Sequence, residues 1–314
     1  MTSLLWVGLG GCIDPFPDGW GEGDSGTWST TETPADSGDS GIAEEIEASP
    51  GHRLAVGQFN ACWIDDSGTL DCWGYNSEVT RDVPTGTYVD VAVGYYYACS
   101  VREDGVPFCW GTEGAYATPP VPMGVLTRIE TGTNHSCALD ELGQLSCWGQ
   151  TEDDHIENPD GRQYEIGLDG TSTCAVLAKD KPECWGYGAS ARANLNSYSG
   201  EFAVVQLDGG VSHQCAVLSN GSMACWGDDT YGKTDPTPGQ DWIQVSSGPE
   251  NSCGLSKTGG LSCWGNDATG INDAPGDGAF AEVAVGYHAA CAITTQGSVS
   301  CWGVGNGYDI PEGP

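Results

Sequence analysis

Fifteen cysteines are the residues of this chain best equipped for chemistry, and three kinds of chemistry use them: disulfide formation, metal ligation and thiol redox work. Fourteen fall in seven pairs: Cys62 with Cys72, Cys99 with Cys109, Cys137 with Cys147, Cys174 with Cys184, Cys215 with Cys225, Cys253 with Cys263, and Cys291 with Cys301. Members of each pair are ten residues apart, and the second is always followed by Trp-Gly. A C-x9-C spacing lacks the closely spaced ligands of zinc sites, and no histidine recurs with it, so no metal is expected. First members recur at intervals of 37, 38, 37, 41, 38 and 38 residues, so the cysteines mark one structural unit repeated seven times. Cys12 stands outside the pairs.

Other reactive groups are sparse. Of the five histidines, His135 and His213 occupy one repeat position, filled elsewhere by Asn60, Tyr97, Ser172, Asn251 and Ala289. A residue type recurring at a repeat position reads as a hydrogen-bonder within the architecture rather than a catalyst. Asp65-Asp66, Asp153-Asp154 and Asp228-Asp229 lack the ligand spacing of a calcium loop and read as solvated acids. Gly-x-Ser-x-Gly, His-Glu-x-x-His and phosphate-loop motifs are absent. Neither a cofactor nor a catalytic residue is expected, and the chain reads as non-enzymatic. A hydrolase or lyase working at a central channel is the rival from another class.

The elements that position the cysteines follow from the same spacing. Six residues after the first cysteine, six repeats have glycine (68, 105, 143, 221, 259 and 297), and the fourth repeat has Asp180. A residue tolerating positive φ at that point closes a three-residue hairpin loop. Centred there, the register sets each first cysteine opposite its second. Two residues inward, the opposed pairs are Ile64 and Leu70, Val101 and Pro107, Leu139 and Leu145, Val176 and Pro182, Val217 and Met223, Leu255 and Leu261, and Ile293 and Val299. All are apolar, so this hairpin face is buried. If the loop-closing pair is hydrogen-bonded, the cysteine pair is non-hydrogen-bonded, with Cα atoms about 4.5 Å apart, near the lower edge of disulfide geometry. Pro107 and Pro182 fit this parity because proline has no N–H to donate. Seven intrablade disulfides are therefore expected; seven pairs of buried free thiols are the alternative.

Another strand precedes each hairpin, as in Val89-Asp-Val-Ala-Val93 and Phe280-Ala-Glu-Val-Ala-Val285, with glycine five residues before the first cysteine in six repeats. About 38 residues accommodate three or four short strands, and seven such sheets arranged radially make a β-propeller. The expected fold is thus all-β: a seven-bladed β-propeller over residues 51–314, preceded by a disordered tether. The loop before the first cysteine carries Gln58-Phe59, Tyr95-Tyr96 and Tyr287-His288 in blades 1, 2 and 7, which ring closure makes neighbours. A candidate binding patch is therefore Phe59, Tyr95, Tyr96, Tyr287 and His288; packing of these rings between blades is the alternative. Trp63 departs from its repeat position, and the long blade 4 tail from Tyr187 to Glu201, with Arg192, is a second candidate surface.

The first twelve residues, MTSLLWVGLGGC, are short and apolar, and Leu9-Gly10-Gly11-Cys12 resembles a bacterial lipobox with Cys12 as the lipidation site; an incidental cysteine is the alternative. Residues 13–50 are rich in Gly, Ser, Thr, Pro and acid, contain no Lys or Arg, and read as a disordered linker. The whole chain of 314 residues has 10 Lys+Arg against 44 Asp+Glu, a formal charge of −34. Nucleic acid is excluded as a partner because phosphate binding needs displacing cations, and a membrane is reached only through a lipid anchor. The location expected is the bacterial cell envelope or the medium, since this many cysteines suit an oxidising compartment.

Gly132-x-Asn134-His135-Ser136-Cys137-Ala138-Leu139, then Gly143-x-Leu145-x-Cys147-Trp148-Gly149, resembles the regulator of chromosome condensation repeat. The resemblance covers all seven repeats, and their shortness is similar to the bacterial branch, which includes a secreted β-lactamase-inhibitor protein; paired cysteines depart from the best-known members. It implies a propeller and a binding role. Functions in the family range over nucleotide exchange on a small GTPase, ultraviolet sensing, enzyme inhibition and scaffold binding. No exchange-factor residue carries over, so a nucleotide-exchange regulator ranks third. The reading is a monomeric extracytoplasmic scaffold, an inhibitor or an adhesion or envelope protein, whose partner is a protein or glycan.

Overall fold

The computed structural model describes residues 51–303, apart from 76–78, 81, 112–123, 134, 150–160, 171, 178–181, 187–199, 240 and 277. Cys12, the leader and the linker lie outside the described residues, as do Asp153-Asp154, His155, Asp180, Arg192 and most of the blade 4 tail.

Seven three-stranded antiparallel sheets form a β-propeller, each built from one repeat. Inner, middle and outer strands are, in blade 1, Leu54–Val56, Asn60–Ile64 and Leu70–Gly74. In blade 2 they are Tyr88–Val93, Tyr97–Arg102 and Pro107–Gly111; in blade 3, Leu126–Thr131, His135–Asp140 and Leu145–Gly149. Blade 4 has Gln163–Leu168, Ser172–Leu177 and Pro182–Gly186, and blade 5 has Val204–Gly209, His213–Leu218 and Met223–Gly227. Blade 6 has Trp242–Ser247, Asn251–Ser256 and Leu261–Gly265, and blade 7 has Phe280–Val285, Ala290–Thr294 and Val299–Trp302. No strand is exchanged between blades among the described residues. The ring closes instead through side chain and loop contacts: Glu282 of blade 7 accepts from the Arg53 and Leu54 amides of blade 1, both at 2.9 Å.

The hairpin register matches the one read from the spacing. Each first cysteine opposes its second, and all seven apolar pairs face each other. The turn glycines at 68, 105, 143, 221, 259 and 297 have φ between 75 and 84°. In blade 1, Gly68 donates to the Asp65 carbonyl and Asp65 donates to Thr69, closing a type I turn with a bulge residue.

All seven expected disulfides are formed. Cys62 is bonded to Cys72, Cys99 to Cys109, Cys137 to Cys147 and Cys174 to Cys184. Cys215 is bonded to Cys225, Cys253 to Cys263 and Cys291 to Cys301. The free-thiol alternative is thereby set aside. Their Cα atoms are 4.0–4.1 Å apart, slightly nearer than an unbridged pair at this register.

Each tryptophan of Cys-Trp-Gly packs against the disulfide of the preceding blade. Trp110 lies on the bridge of Cys62 and Cys72, Trp148 on that of Cys99 and Cys109, and Trp185 on that of Cys137 and Cys147. Trp226 covers Cys174 and Cys184, Trp264 covers Cys215 and Cys225, and Trp302 covers Cys253 and Cys263. Trp73 completes the circle on Cys291 and Cys301. The repeat thus encodes both halves of every interface, a ring and the bridge it covers. Trp63 is half-buried. It packs with Trp73 into the blade 7–blade 1 cluster, because its inner-strand partner is Leu54 on a buried face.

Candidate functional site

The inner strands hold more than the terminal glycine that marks them in the sequence. In blades 2–7 the pairing to the middle strand slips at one residue: Val89, Thr127, Tyr164, Val205, Ile243 and Ala281. A bulge bends its strand and re-aims the side chain that follows. That next residue is polar in every blade: Asp90, Arg128, Glu165, Gln206, Gln244 and Glu282, with Arg53 at the same position in blade 1.

Six of these side chains form a belt that bridges neighbouring blades, whereas Arg53 stays on its own blade, bonding the Ile64 carbonyl and Asp66. Asp90 accepts from the Ile129 amide of blade 3 at 2.6 Å and from the His52 amide of blade 1 at 2.6 Å. Arg128 Nη1 donates to Glu165 Oε2 at 2.6 Å, with both side chains buried. Gln206 accepts from the Val245 amide at 2.8 Å and donates to its carbonyl at 3.1 Å; Gln244 does the same to Val283, at 2.9 and 3.2 Å. Neighbouring inner strands share no sheet, so without the belt these backbone groups would be buried unpaired, at about 1–3 kcal/mol each.

Along the inner strands, ionisable groups from several blades interact. His52 of blade 1 reaches blade 3, where its Nδ1 lies 3.2 Å from Glu130 Oε1. Arg128 Nη2 is 3.2 Å from the same oxygen. Burial and Arg128 oppose protonation of His52, but Glu130 and Asp90 outweigh them and raise its pKa to about 9. Burial raises Asp90 to about 7 against the pull of His52 and Arg128. Burial and the charge of Glu130 likewise raise Asp208 to about 7. Glu130 titrates below the usual carboxylate range, because His52 and Arg128 together outweigh its burial. Sequence reading missed this cluster: Asp90 and Arg128 stand four residues before the repeated glycine, a visible signal, but His52, Glu130 and Asp208 stand elsewhere in the repeat.

The repeated glycines 57, 94, 132, 210, 248 and 286 sit where neighbouring blades come closest. A Cβ on Gly248 would strike the Gly286 carbonyl, one on Gly286 the Gly57 carbonyl, and one on Gly57 the Gly94 carbonyl. At the fourth blade Asp169 holds this position and folds its carboxylate back onto Ser172.

Just beyond these glycines lie the aromatic residues expected from the sequence. Phe59 packs edge-on to Tyr95 (centroids 5.7 Å apart) and stacks with Tyr96 at 6.1 Å, and the two tyrosines touch at 4.3 Å. Tyr75, not anticipated, joins Phe59 at 6.5 Å. Tyr287 and His288 form a second pair at 4.6 Å on blade 7, and the Tyr287 amide donates to the Gly57 carbonyl of blade 1. The structure brings Phe59, Tyr95 and Tyr96 into one cluster and sets Tyr287 and His288 beside blade 1. Tyr75, Tyr96 and Tyr287 are exposed at 69, 49 and 36%. Three rings facing water on one sector are neither fully packed nor scattered.

His135 and His213 are architectural. Buried His135 and His213 lie 2.8 Å from Thr173 Oγ1 and Ser252 Oγ of the next blade, and Tyr97 bonds Ser136 from the same position. Burial and Lys233 lower His213 to about 4, so it is neutral. Asp65 caps its hairpin turn through the Ser67 and Thr69 amides, and Asp228 pairs with Lys233 at 2.9 Å.

No family model matches the chain. No curated protein matches it either. Solved structures do. The ectodomain of the receptor kinase CR4 from Physcomitrella patens matches with a TM-score of 0.70 and 22% identity, over 82% of this chain and 74% of that one. The CRINKLY WD40 ectodomain of the receptor kinase ACR4 from Arabidopsis thaliana gives 0.70 and 22%, over 85% of this chain and 100% of that one. Human WBSCR16, a propeller of regulator of chromosome condensation repeats, gives 0.55 and 16%, over 65% of this chain and 71% of that one. At these identities the likeness establishes one thing, the fold: this chain is a seven-bladed β-propeller.

Proposed function

We propose that this propeller is a non-enzymatic, extracytoplasmic binding scaffold that recognises a protein or glycan through the aromatic face of blades 7, 1 and 2. The carrying observation is the cluster of Phe59, Tyr75, Tyr95 and Tyr96, with Tyr287 and His288 beside it, exposing large rings on one sector. Tyrosines give wide contact area at low conformational cost, a property that recognition surfaces use. Seven disulfides support a location outside the reducing cytoplasm, and two of the structural neighbours are ectodomains. The lipobox-like Cys12 supports an envelope anchor in a bacterium of the short-repeat branch, with release to the medium if the leader is cleaved elsewhere. The formal charge of −34 makes a polyanionic partner unfavourable.

The test compares the wild-type chain with a Tyr95→Ala/Tyr96→Ala/Tyr287→Ala variant on a glycan array and in pull-downs from envelope extracts. Circular dichroism verifies that the variant keeps its fold. A specific glycan or protein captured by the wild type should bind the variant at least roughly tenfold more weakly. Undiminished capture by the folded variant would remove the aromatic face as the recognition surface.

A further inference from the structure

The central channel has two different walls. All seven inner strands line one cavity of ≈ 210 Å³. One and two residues before the repeated glycine, blades 1, 2 and 7 present Ala55, Val56, Ala92, Val93, Ala284 and Val285 to it. At the same positions, blades 3, 5 and 6 present Glu130, Thr131, Asp208, Ser246 and Ser247, with Leu168 of blade 4 the one apolar side chain among them. Tyr95 and Tyr287 line the cavity at the end of the apolar side. A sevenfold repeat asks for no such asymmetry. The tryptophan–disulfide contacts are alike all round the ring, and the interblade belt is polar on both sides.

The charges on the polar wall are unequally met. Glu130 lies between Arg128 and His52, each at 3.2 Å. Asp208 accepts only backbone amides, from Gly209 at 2.8 Å and Ser247 at 2.9 Å, and no ion pair to it forms among the described residues. Burial and Glu130 hold its proton to about pH 7, outweighing the pull of the His52 charge and of its two backbone donors, so the carboxylate has room for a cation closer than His52. Among the described residues no three acids or histidines are grouped as metal ligands, so a compact organic cation fits this wall better than a metal ion. An ammonium also brings several N–H donors, for Asp208 and for the hydroxyls of Ser246 and Thr131 that line the same cavity. The alanine and valine wall opposite suits an aliphatic stem.

We infer that the channel is a binding site for a primary alkylammonium group, with its stem on the Ala92 and Val93 wall and its nitrogen at Asp208. The group enters past Tyr95 and Tyr287, whose faces attract cations. It is either a free amine or the side chain of a lysine on a partner. Binding places a positive charge beside Asp208 and drives off its proton, so affinity rises as pH goes from about 6 to about 8.

Isothermal titration of the full chain with pentylamine, N-acetyl-lysine methylamide and pentanol tests this. Either amine should bind at least roughly tenfold more tightly than pentanol, and Asp208→Asn should lose that margin. Binding of pentylamine alone identifies a free amine as the ligand; binding of the lysine analogue identifies a lysine-bearing partner. Ala92→Leu, which fills the apolar wall and leaves every charge in place, should block both even if Asp208→Asn destabilises the fold. Equal binding of pentanol, no binding of either amine, or unchanged amine binding in both variants would overturn the proposal. Asp208→Asn and Ala92→Leu leave every aromatic ring in place, so partner capture retained by variants that have lost amine binding separates a failure of the channel site from a failure of the aromatic face.

Discussion

Two regions of each blade are built on opposite plans. The outer hairpins are near-copies: the same turn glycine, disulfide and tryptophan in the same register. Six of the seven inner strands share a bulge and six lead into a glycine, yet at the bulge-following position they carry arginine, aspartate, glutamate or glutamine. The hairpin meets an identical neighbour every time, so one solution serves seven interfaces. The inner strand must match a particular next strand and face a shared channel, so each carries its own residue. Repetition marks what the fold requires, and variation marks where this molecule can be individual.

The largest effect expected tests the hairpin half. Each disulfide contributes at most about 2–3 kcal/mol in the chain-entropy model, and less where the hairpin already holds its ends together. Removing all seven at once threatens a domain stability of about 5–15 kcal/mol. A reduced and alkylated chain should therefore lose its β-sheet circular dichroism, whereas Cys291→Ala with Cys301→Ala should keep the fold and lower its melting temperature. Native melting of the fully reduced chain would show that tryptophan packing alone sustains the outer ring.

The next effect tests the belt. Arg128→Met leaves Glu165 buried without its 2.6 Å partner, and breaking a buried pair costs about 3–5 kcal/mol. For a domain of this size that is a loss of roughly 6–20 °C in melting temperature. Arg128→Met combined with Glu165→Leu should recover most of it. A single variant as costly as the double would mean that packing, not charge pairing, is what the belt supplies.

The smallest effect distinguishes the halves by pH, because the disulfides do not titrate and the channel cluster does. His52, raised to about 9, gives stability that is complete below its ordinary value of 6.5 and lost as pH rises through about 9. Asp90 and Asp208, raised to about 7, bind protons more tightly in the folded chain than in the unfolded one. Their contribution therefore falls as pH rises from 3.8 to about 7. Melting temperature should decline from mildly acidic to alkaline pH, and Asp90→Asn should flatten the lower part of that decline. Unchanged slopes in Asp90→Asn would assign the decline to general repulsion among the surface acids.

Much of this architecture was legible in the chain, and the reason is local. A turn glycine, two cysteines and an apolar pair within eleven residues leave one antiparallel register, which the structure adopts in every blade whose turn is described. The aromatic cluster was legible because ring closure makes blades 7, 1 and 2 adjacent. The place of Trp63 was not: its departure from the repeat named no partner, and its half-burial depends on Leu54 and the neighbouring blade. Tyr75 escaped notice because it follows Cys-Trp-Gly, outside the loop position being compared.

By itself, then, the sequence determined the repeat, the hairpins, the disulfide partners and the number of blades, because each rests on contacts between residues close in the chain. Which blade each tryptophan covers, how the ring closes through Glu282, and where Asp90, Arg128 and Glu130 find their partners were decided only in the tertiary structure. Those groups meet residues 37 to 229 positions away. Their protonation also depends on burial that no local spacing reveals. The two-walled channel belongs to the same class, since a wall made from seven strands exists only once the ring is shut.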